Sequence, residues 1–478
     1  MAAEGAARGA PNVLLVSAEV FPFSKTGGLG DATAALVHAL REAGVDARAI
    51  SPAYRGSLDR FGPGRRVLGF DGGHIRAVED AEGAVHYLVE APAAFDRPGG
   101  PYQSPERQDW PDNARRFALF QQAALALAEA GDEAWRPDVL HCNDWHAGLL
   151  PAWSRLPSLF TIHNAVFQGL FPEGDAPALG VAPDMAARIR LHGRLSMAKA
   201  GCVFADRVNV VSPRFAEEIL KPEFGCGLEA ALAGRPEGIA GVLNPLDAAL
   251  WSPASDPLLP ARFDADDLSG KAACKLAAQR RFGLPEDGEA CLVAVVSRVT
   301  HQKMSDVVAA AVPDLLALSP RLQIALCGEG ETAMEERLRA AATANPRFRP
   351  ILAYDETTAH LAIAGADMLL HPSRFEPCGL TPIYAKRYGA VPVATRVGGH
   401  VDSIHDGEDG FLFQGERAAD ITAAVARALA RRRDAAGWRT LVRRGMTAPT
   451  GAATAAARYL DLYREAIQSP HPSWRRPA

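Results

Sequence analysis

The side chains best suited to chemistry lie within residues 371–399, where an apolar, strand-like segment runs into a charged turn and then into a helix-like segment. The free N–H groups at the start of such a helix carry about half an elementary positive charge, which favours a phosphate ligand. Glu376 lies in the same turn, and its carboxylate needs a partner with hydroxyl or cationic donors. A sugar nucleotide offers both phosphate and hydroxyl groups. In the alternative interpretation, Glu376 is a surface carboxylate that caps the helix.

Buried parallel strands are predicted on both sides of this turn, at residues 366–370 and 391–395, because both segments are continuously apolar. Thr381 is a candidate N-cap for the helix, and Pro382 fits its first turn. The turn therefore joins a strand end to a helix start, which is where ligands bind in open α/β sheets.

Cationic side chains follow other strand-like segments. Arg298 and Lys303 come after the apolar residues 291–297, and cations gathered at one strand end require an anion. Lys25 begins the KTGG turn of residues 25–28, where glycine lets the backbone approach a ligand and lysine neutralises a phosphate. This turn has neither the spacing of a dinucleotide fingerprint nor that of a P-loop, so by itself it is a weak signal.

Polar side chains also end strands in the first half of the chain. Asp144 lies at the end of the strand-like residues 138–146, and His163 at the end of residues 158–164. A single histidine in such a place is more often structural than catalytic. Strand ends that carry polar residues in the same way favour a site at the carboxyl edge of a parallel sheet.

The alternation of strands and helices that positions these residues occurs twice along the chain. It breaks near residue 247, so we predict an N-terminal domain at residues 11–245, a second domain at 246–447 and a C-terminal helix at 448–470. Residues 65–91 predict β hairpins, and residues 351–355 a further strand. Residues 92–113 predict a long surface loop, which is either functional or a plain insertion.

Composition limits the classes of function. A chain of 478 residues with 48% hydrophobic and 22% charged side chains is typical of a globular protein with more than one domain. Its net charge of -5 argues against a dedicated nucleic-acid binder. No apolar run has the length of a membrane span, so we expect no membrane partner and a cytoplasmic location. The 7 cysteines are never spaced as CxxC, which disfavours a disulfide framework and a zinc site.

Several stretches together resemble bacterial glycogen synthases and plant starch synthases, and they cover nearly the whole chain in that family's order. They are KTGGL at residues 25–29, NDWH at 143–146, His163-Asn164 with Gln168-Gly169, Ser297-Arg298 with Gln302-Lys303, and PSRFEPCGL at 372–380. The resemblance implies an α/β fold of the GT-B type, in which two Rossmann-like domains face an interdomain cleft and a C-terminal helix returns to the first domain. It implies a retaining glucosyltransferase that moves glucose from ADP-glucose to the non-reducing 4-hydroxyl end of an α-1,4-glucan.

The resemblance also implies roles for individual residues. Arg298 and Lys303 are similar to the pair that holds the donor diphosphate and stabilises charge on the leaving group. Glu376 is similar to the carboxylate that binds glucose hydroxyls, and His163 to the residue beside the transferred glucose. The implied substrate-binding positions are Lys25, Gly27, Gly28, Asp144, Asn244, Tyr354, Cys378, Gly379, Leu380 and Thr381. No metal or other cofactor is implied, because cationic side chains take the role of a metal.

The chain departs from the family's pattern near these sites. Pro245 and Met304 stand where the family usually has glycine, Pro382 stands where Gln or Met is usual, and His400 replaces the usual leucine. Two other functions stay open: a retaining glucosyltransferase of the same fold with another acceptor or with UDP-glucose, and a catalytically silent homologue that binds glucan or nucleotide. The joint presence of Arg298, Lys303, His163 and Glu376 favours an enzyme.

Overall fold

The computed structural model describes residues 9–353, 355–449 and 451–468. The chain divides into two compact units: unit 1 runs up to Asp247 and resumes at Gly451, and unit 2 is the chain between them. The predicted site residue Tyr354 and the last two residues of the predicted C-terminal segment, 469–470, lie outside the described residues. No helix in the described part of the chain is long and apolar enough to cross a lipid bilayer.

Unit 1 is built on a nine-stranded sheet among its described residues, with the order β12-β11-β7-β6-β1-β2-β5-β4-β3. The strands of this unit, including a separate small sheet of β8, β10 and β9, are β1 (Val13–Val16), β2 (Ala47–Pro52), β3 (Arg65–Phe70), β4 (Gly73–Glu79), β5 (Val85–Glu90), β6 (Val139–Asn143), β7 (Ser158–Ile162), β8 (Leu170–Phe171), β9 (Arg190–Leu191), β10 (Arg194–Ser196), β11 (Arg207–Val210) and β12 (Ala240–Gly241). Neighbours from β12 to β5 are parallel. β3 and β4 add antiparallel hairpins at the edge, as predicted for residues 65–91.

Helices cover both faces of the unit 1 sheet. They are α1 (Gly28–Glu42), α2 (Ser57–Phe61), α3 (Pro92–Phe95), α4 (Asn113–Ala130), α5 (Leu150–Trp153), α6 (Pro183–Ile189), α7 (Met197–Phe204), α8 (Pro213–Glu218), α9 (Pro222–Gly225) and α10 (Glu229–Ala233). Alternate residues of β1 enter different cores: Leu14 and Val16 pack with α4 and α7, whereas Val13 and Leu15 pack with α1. A strand buried on both faces has no polar alternation, which explains the continuous apolar run of this segment.

The described residues of unit 2 form a parallel sheet with the order β15-β14-β13-β16-β17-β18. Its strands are β13 (Cys291–Val296), β14 (Leu322–Cys327), β15 (Phe348–Ile351), β16 (Met368–His371), β17 (Val391–Thr395) and β18 (Phe411–Phe413). Its helices are α11 (Ser269–Phe282), α12 (Ser305–Ala317), α13 (Thr332–Ala344), α14 (Glu356–Gly365), α15 (Leu380–Arg387), α16 (Gly398–Ser403), α17 (Ala418–Arg432) and α18 (Ala435–Met446). Both units are therefore Rossmann-like, as predicted.

The strand predicted at residues 351–355 is wrong in position, because the structure ends β15 at Ile351. β15 contains Pro350, which has no N–H to donate to a neighbouring strand. The proline is accommodated because β15 is the edge strand of its sheet and pairs only with β14.

The last helix, α19 (Ala452–Gln468), belongs to unit 1, in agreement with the prediction that a C-terminal helix returns to the first domain. The Tyr463 hydroxyl lies 2.8 Å from Nδ1 of His141, and the Tyr459 hydroxyl accepts from the side-chain amide of Asn209 at 3.1 Å. All these side chains are buried. Polar tips on an otherwise apolar helix face therefore fix how α19 docks, because a buried unpaired hydroxyl costs about 1–3 kcal/mol.

Candidate active site

The strand order of unit 2 marks the position of a site. Numbered within the unit, the strands lie in the order 3-2-1-4-5-6 across the sheet. The connections run in opposite directions from β13 and β16, and ligands of such sheets bind at the carboxyl ends of those central strands. Arg298 and Lys303 follow β13, and the turn with Glu376 follows β16. The structure thus brings the predicted cations and the predicted carboxylate to one place.

Lys303 and Glu376 are in direct contact. The ammonium group of Lys303 donates to Oε2 of Glu376 and also to Nε2 of His371, at 3.2 Å. The hydroxyl of Ser373 donates to the same Oε2 at 2.9 Å. Glu376 is only 7% exposed, so it is not the surface cap of the alternative interpretation. Its carboxylate instead forms an ion pair with the Lys303 ammonium inside unit 2.

The charges of this group follow from burial and contact. Burial by itself raises the pKa of Glu376, but the Lys303 ammonium and the neighbouring imidazoles hold this pKa well below its usual range. Burial and the same ammonium lower the pKa of His371, and burial lowers the pKa of His400 to about 3. At neutral pH the group therefore contains one carboxylate, one ammonium and two neutral imidazoles.

The loops after β13 and β16 are joined by arginine side chains. Arg374 binds both carboxylate oxygens of Asp306, at 3.0 and 2.9 Å, and so ties the turn after β16 to the first turn of α12. Arg298 is exposed and donates to the side-chain oxygen of Gln302 at 3.2 Å. The amide nitrogen of Gln302 in turn donates to the carbonyl of Phe375 at 3.2 Å. Of the two arginines, Arg298 is the more exposed residue.

Glycine shapes the start of α15. Gly379, the N-cap residue, has φ 78° and ψ 63°, and no side chain caps this helix, so the prediction that Thr381 is the cap is wrong. Thr381 is the second residue of α15, and Pro382 occupies its first turn as predicted. At Gly399 a Cβ atom would lie 2.0 Å from the carbonyl oxygen of Cys378. The predicted positions Cys378, Gly379, Leu380 and Thr381 thus form a tight backbone turn over the end of β16.

Unit 1 has a second site at the corresponding place in its own sheet. The connections diverge from β1 and β6, and the predicted residues lie in the loops that follow these strands and β7. The parallel register pairs Asn143 with Thr161, so the loops after β6 and β7 leave the sheet side by side. Asp144 and His163 are brought together in this way.

The backbone N–H of His163 donates to Oδ1 of Asp144 at 2.7 Å, and its ring Nε2 bonds Oδ1 of Asn143 at 2.9 Å. The side-chain amide of Asn143 donates to the carbonyls of Val16 and His141, so its oxygen is the acceptor for His163. Burial lowers the pKa of His163 to about 3 and raises that of Asp144 to about 7. His163 is therefore a neutral imidazole that carries its proton on Nε2 and its lone pair on Nδ1.

The KTGG turn is organised by an acid that follows β1. Glu19 is buried, and its carboxylate accepts from the backbone N–H groups of Thr26 and Gly27 and from the hydroxyl of Tyr102. Lys25 lies 3.0 Å from the carboxylate of Asp31 in the first turn of α1. Residues 92–113, predicted as a surface loop, begin with helix α3 and reach this site through Tyr102. Gly28 begins α1, and Asn244 is buried beyond β12 in the same unit.

Each of the two units matches the sequence profile of a known protein family. The profile of the starch synthase catalytic domain matches residues 12–234, and that of glycosyl transferases group 1 matches residues 278–442. A glycogen synthase from Bordetella petrii is 45% identical over 96% of this chain and 93% of its own length. The chain belongs to the glycogen synthase and starch synthase family. Glycogen synthase 1 from Methylococcus capsulatus, another member, is 40% identical over 95% of this chain and 96% of its own.

Solved structures that match this chain share its fold. The catalytic domain of starch synthase IV from Arabidopsis thaliana, bound to ADP and acarbose, has a TM-score of 0.87 and 29% identity over 96% of this chain and all of that one. Sucrose-phosphate synthase from Thermosynechococcus elongatus, at 20% identity and a TM-score of 0.61, shares the fold. As a member of this family, the chain is a glycosyltransferase with two Rossmann-like units, as the sequence predicted.

The residues that hold the site residues in place were not predicted from the sequence. Ser373 and His371 contact the Lys303–Glu376 pair, and Glu19 holds the KTGG turn. Ser373 lies inside the PSRFEPCGL stretch, so the motif itself offered a signal for it. Glu19 lies at a strand end just before the glycines, which was the available signal there. His371 is the last residue of an apolar strand, and a polar side chain at a strand end was the available signal for it.

Proposed function

We propose that this glycosyltransferase is a cytoplasmic glycogen synthase, which transfers glucose from ADP-glucose to the non-reducing 4-hydroxyl end of an α-1,4-glucan with retention of configuration. The Lys303–Glu376 pair at the switch point of the unit 2 sheet carries the proposal, because it sets a cation and a hydroxyl acceptor side by side. The relatives named glycogen synthase support the acceptor. The ADP and acarbose bound to the Arabidopsis enzyme support the donor base and a glucan-like acceptor.

In the proposed reaction, the bond from the glucose anomeric carbon to the donor diphosphate breaks, and a bond from that carbon to the acceptor O4 forms. The proton of the acceptor hydroxyl passes to the departing phosphate oxygen, which lies on the same face of the sugar when configuration is retained. Negative charge therefore grows on the diphosphate as positive charge grows on the sugar ring. Fixed cations near the diphosphate lower the barrier, because they interact more strongly with the transition state than with the bound donor.

Lys303 and Arg298 are the proposed cations for the diphosphate. Within unit 2 the Lys303 ammonium already contacts Glu376, so donor phosphate joins an existing ion pair rather than an isolated charge. Glu376 is ionised and accepts a hydrogen bond from Ser373, so one oxygen is held while the carboxylate accepts from glucose hydroxyls. The backbone turn at residues 378–381 presents N–H groups at the start of α15, where a phosphate or hydroxyl oxygen is stabilised.

In unit 1, His163 is proposed to accept a hydrogen bond from the transferred glucose. Its Nε2 proton is engaged by Asn143, which leaves the Nδ1 lone pair for a sugar hydroxyl. Because the pKa of His163 is about 3, the ring is not a charged group at neutral pH. Lys25 with Gly27 and Gly28, and Asp144 and Asn244, are the proposed further contacts to donor and sugar. Tyr354 stays a prediction for the base.

The test is to measure kcat/KM for ADP-glucose and for UDP-glucose with glycogen as acceptor, following release of the nucleoside diphosphate. We expect ADP-glucose to be preferred by about tenfold or more, which corresponds to about 1.4 kcal/mol. Digestion of the labelled product by an α-1,4-specific exoglucanase should release all transferred glucose. A strong preference for UDP-glucose would contradict the donor, and glucan-independent release would contradict the acceptor. No release with either donor would establish the silent homologue.

A further inference from the structure

A cluster of ligand atoms in unit 1 lies apart from the residues assigned above. His38 on α1 and His86 on β5 both direct Nε2 at the same oxygen, Oδ2 of Asp80, at 2.9 and 2.7 Å. Asp80 begins the turn that joins β4 to β5. One atom from each of these three residues lies within 4.8 Å of the others, so one ion can contact all three.

The atoms behind His38 and Asp80 hold these two ligands in orientation. Nδ1 of His38 lies 3.2 Å from Oδ2 of Asp247, which places a carboxylate behind this histidine. The second oxygen of Asp80 accepts from the backbone N–H groups of Glu82 and Ala84, at 3.1 and 2.8 Å. Histidines that bind metals almost always donate their other ring proton to a carboxylate or carbonyl, and their carboxylate neighbours are hydrogen-bonded in turn. His38 and Asp80 both have this arrangement.

Charge separates this cluster from the other group of histidines in the described residues. His371, Glu376 and His400 also gather three ligand atoms, but Lys303 already supplies a positive charge there. A dication at that place would leave an uncompensated buried charge. At His38 two carboxylates, Asp80 and Asp247, raise the pKa of the imidazole to about 10. A dication that displaces the proton of His38 is matched by the same two negative charges.

The cluster is distant from the proposed substrate contacts of unit 1. His38 follows the start of α1 by ten residues, which is about 15 Å along the helix from the KTGG turn. His86 is the second residue of β5, which runs parallel to β2, so it lies at the amino-terminal edge of the parallel strands. Asp144 and His163 lie at the opposite, carboxyl-terminal edge. An ion bound at His38 therefore lies away from the proposed substrate contacts and has a structural role.

We propose that His38, Asp80 and His86 form a binding site for a divalent transition-metal ion of the Zn²⁺ class. Imidazole nitrogen and carboxylate oxygen are ligands that Zn²⁺ and Co²⁺ accept, and water completes the coordination on the side of His38, whose side chain is 20% exposed. The ligand atoms need to separate by about 0.5 Å to reach the edge length of a tetrahedral site. The bound ion joins α1, the β4–β5 turn and, through Asp247, the end of the first segment of unit 1. Cysteine spacing did not indicate this site, because its ligands come from separate elements.

The test uses protein without a histidine tag, treated with a chelator and then freed of it, and titrated with CoCl₂ while visible absorption is recorded. The parent should bind one Co²⁺ with the intense bands of a low-coordinate site, and Zn²⁺ should displace it and raise the melting temperature. His38→Gln should weaken Co²⁺ binding at least tenfold, and Asp247→Asn by about 10- to 100-fold. His405→Gln is the matched control, because His405 also pairs with an aspartate, Asp409, at 3.1 Å but has no second histidine ligand.

Co²⁺ binding that His405→Gln retains and His38→Gln loses, with circular dichroism unchanged, supports the site. Three results overturn it: no saturable binding by the parent at millimolar Co²⁺, binding that survives His38→Gln, or binding that is lost in His400→Leu and kept in His38→Gln. The last result would assign the ion to the other histidine group. Because Co²⁺ absorption and melting temperature are the readouts, the outcome is independent of the proposed glucosyl transfer.

Discussion

Met304 lies immediately after Lys303, at a position where the family usually has glycine, and the structure gives it a left-handed backbone with φ 50°. The residue is the N-cap of α12 and is completely buried. Two opposing effects act here. The left-handed conformation costs about 1 kcal/mol or more for a residue with a Cβ atom, whereas burial of the side chain stabilises the fold.

The variants Met304→Ala and Met304→Gly separate these effects. Both remove the buried thioether side chain, which costs about 2–4 kcal/mol by comparison with other core methionines. Alanine keeps the Cβ atom and its strain, and glycine removes it, so glycine should be the more stable variant by about 1 kcal/mol. For a unit of this size that difference is about 2–4 °C in melting temperature.

The measurement is thermal unfolding followed by calorimetry, in which the transition that moves with the substitutions is that of unit 2, the unit that contains Met304. The expected order of melting temperature is parent, then Met304→Gly, then Met304→Ala. If alanine melts at or above glycine, backbone strain at this position is not significant. If glycine melts above the parent, the side chain contributes less than the strain costs, and the estimate of its burial is wrong.

Three further changes have definite expected outcomes. Lys303→Ala should lower kcat by on the order of 100-fold, about 3 kcal/mol, with a smaller change in donor KM. The control variant Arg427→Ala, at an exposed ion pair, should leave both kcat and KM unchanged. An unaltered kcat for Lys303→Ala would mean that the ammonium lies near the donor without stabilising the transition state. The pKa of Asp144 is raised by burial from 3.8 to about 7, so the folded state binds an extra proton between these values and this group destabilises the fold increasingly as pH rises to about 7. Asp144→Asn should therefore gain stability relative to the parent as urea unfolding is measured from about pH 5 to pH 7, and a difference independent of pH would refute this assignment. Gly399→Ala should destabilise unit 2 by several kcal/mol, because the added Cβ would lie 2.0 Å from the Cys378 carbonyl oxygen, and a melting temperature equal to the parent's would show that the turn yields without cost.

Much of the local structure was determined by the sequence alone. The strand β17 has the predicted bounds, and the hairpins at residues 65–91 form as expected. The reason is that a strand covered on both faces needs a continuous apolar run, and turns need glycine and polar residues, so both signals are local. The placement of Lys303, Glu376, Asp144 and His163 at strand ends was predictable for the same reason.

Contacts between distant residues were decided only by the tertiary structure. Lys303 and Glu376 are 73 residues apart in the chain, and they meet because β13 and β16 are neighbours in the sheet. Glu19 meets Tyr102, and His38 meets Asp80, by the same kind of long-range arrangement. Strand order depends on how helices cross over the sheet, and the periodicity of a single segment carries no information about its neighbours.

The strand predicted at residues 351–355 and the cap predicted at Thr381 were wrong because they too depend on contacts between distant residues. Pro350 is acceptable in β15 only because this strand lies at the sheet edge, and edge position is a property of the assembled sheet. Thr381 was a reasonable cap by residue type, but Gly379 takes the N-cap position because the turn beside His400 leaves no room for a Cβ atom. Residue types and their local order thus determined which elements form and which ends carry polar groups. Strand order and close backbone packing, which arise only when distant segments meet, determined which of those groups touch.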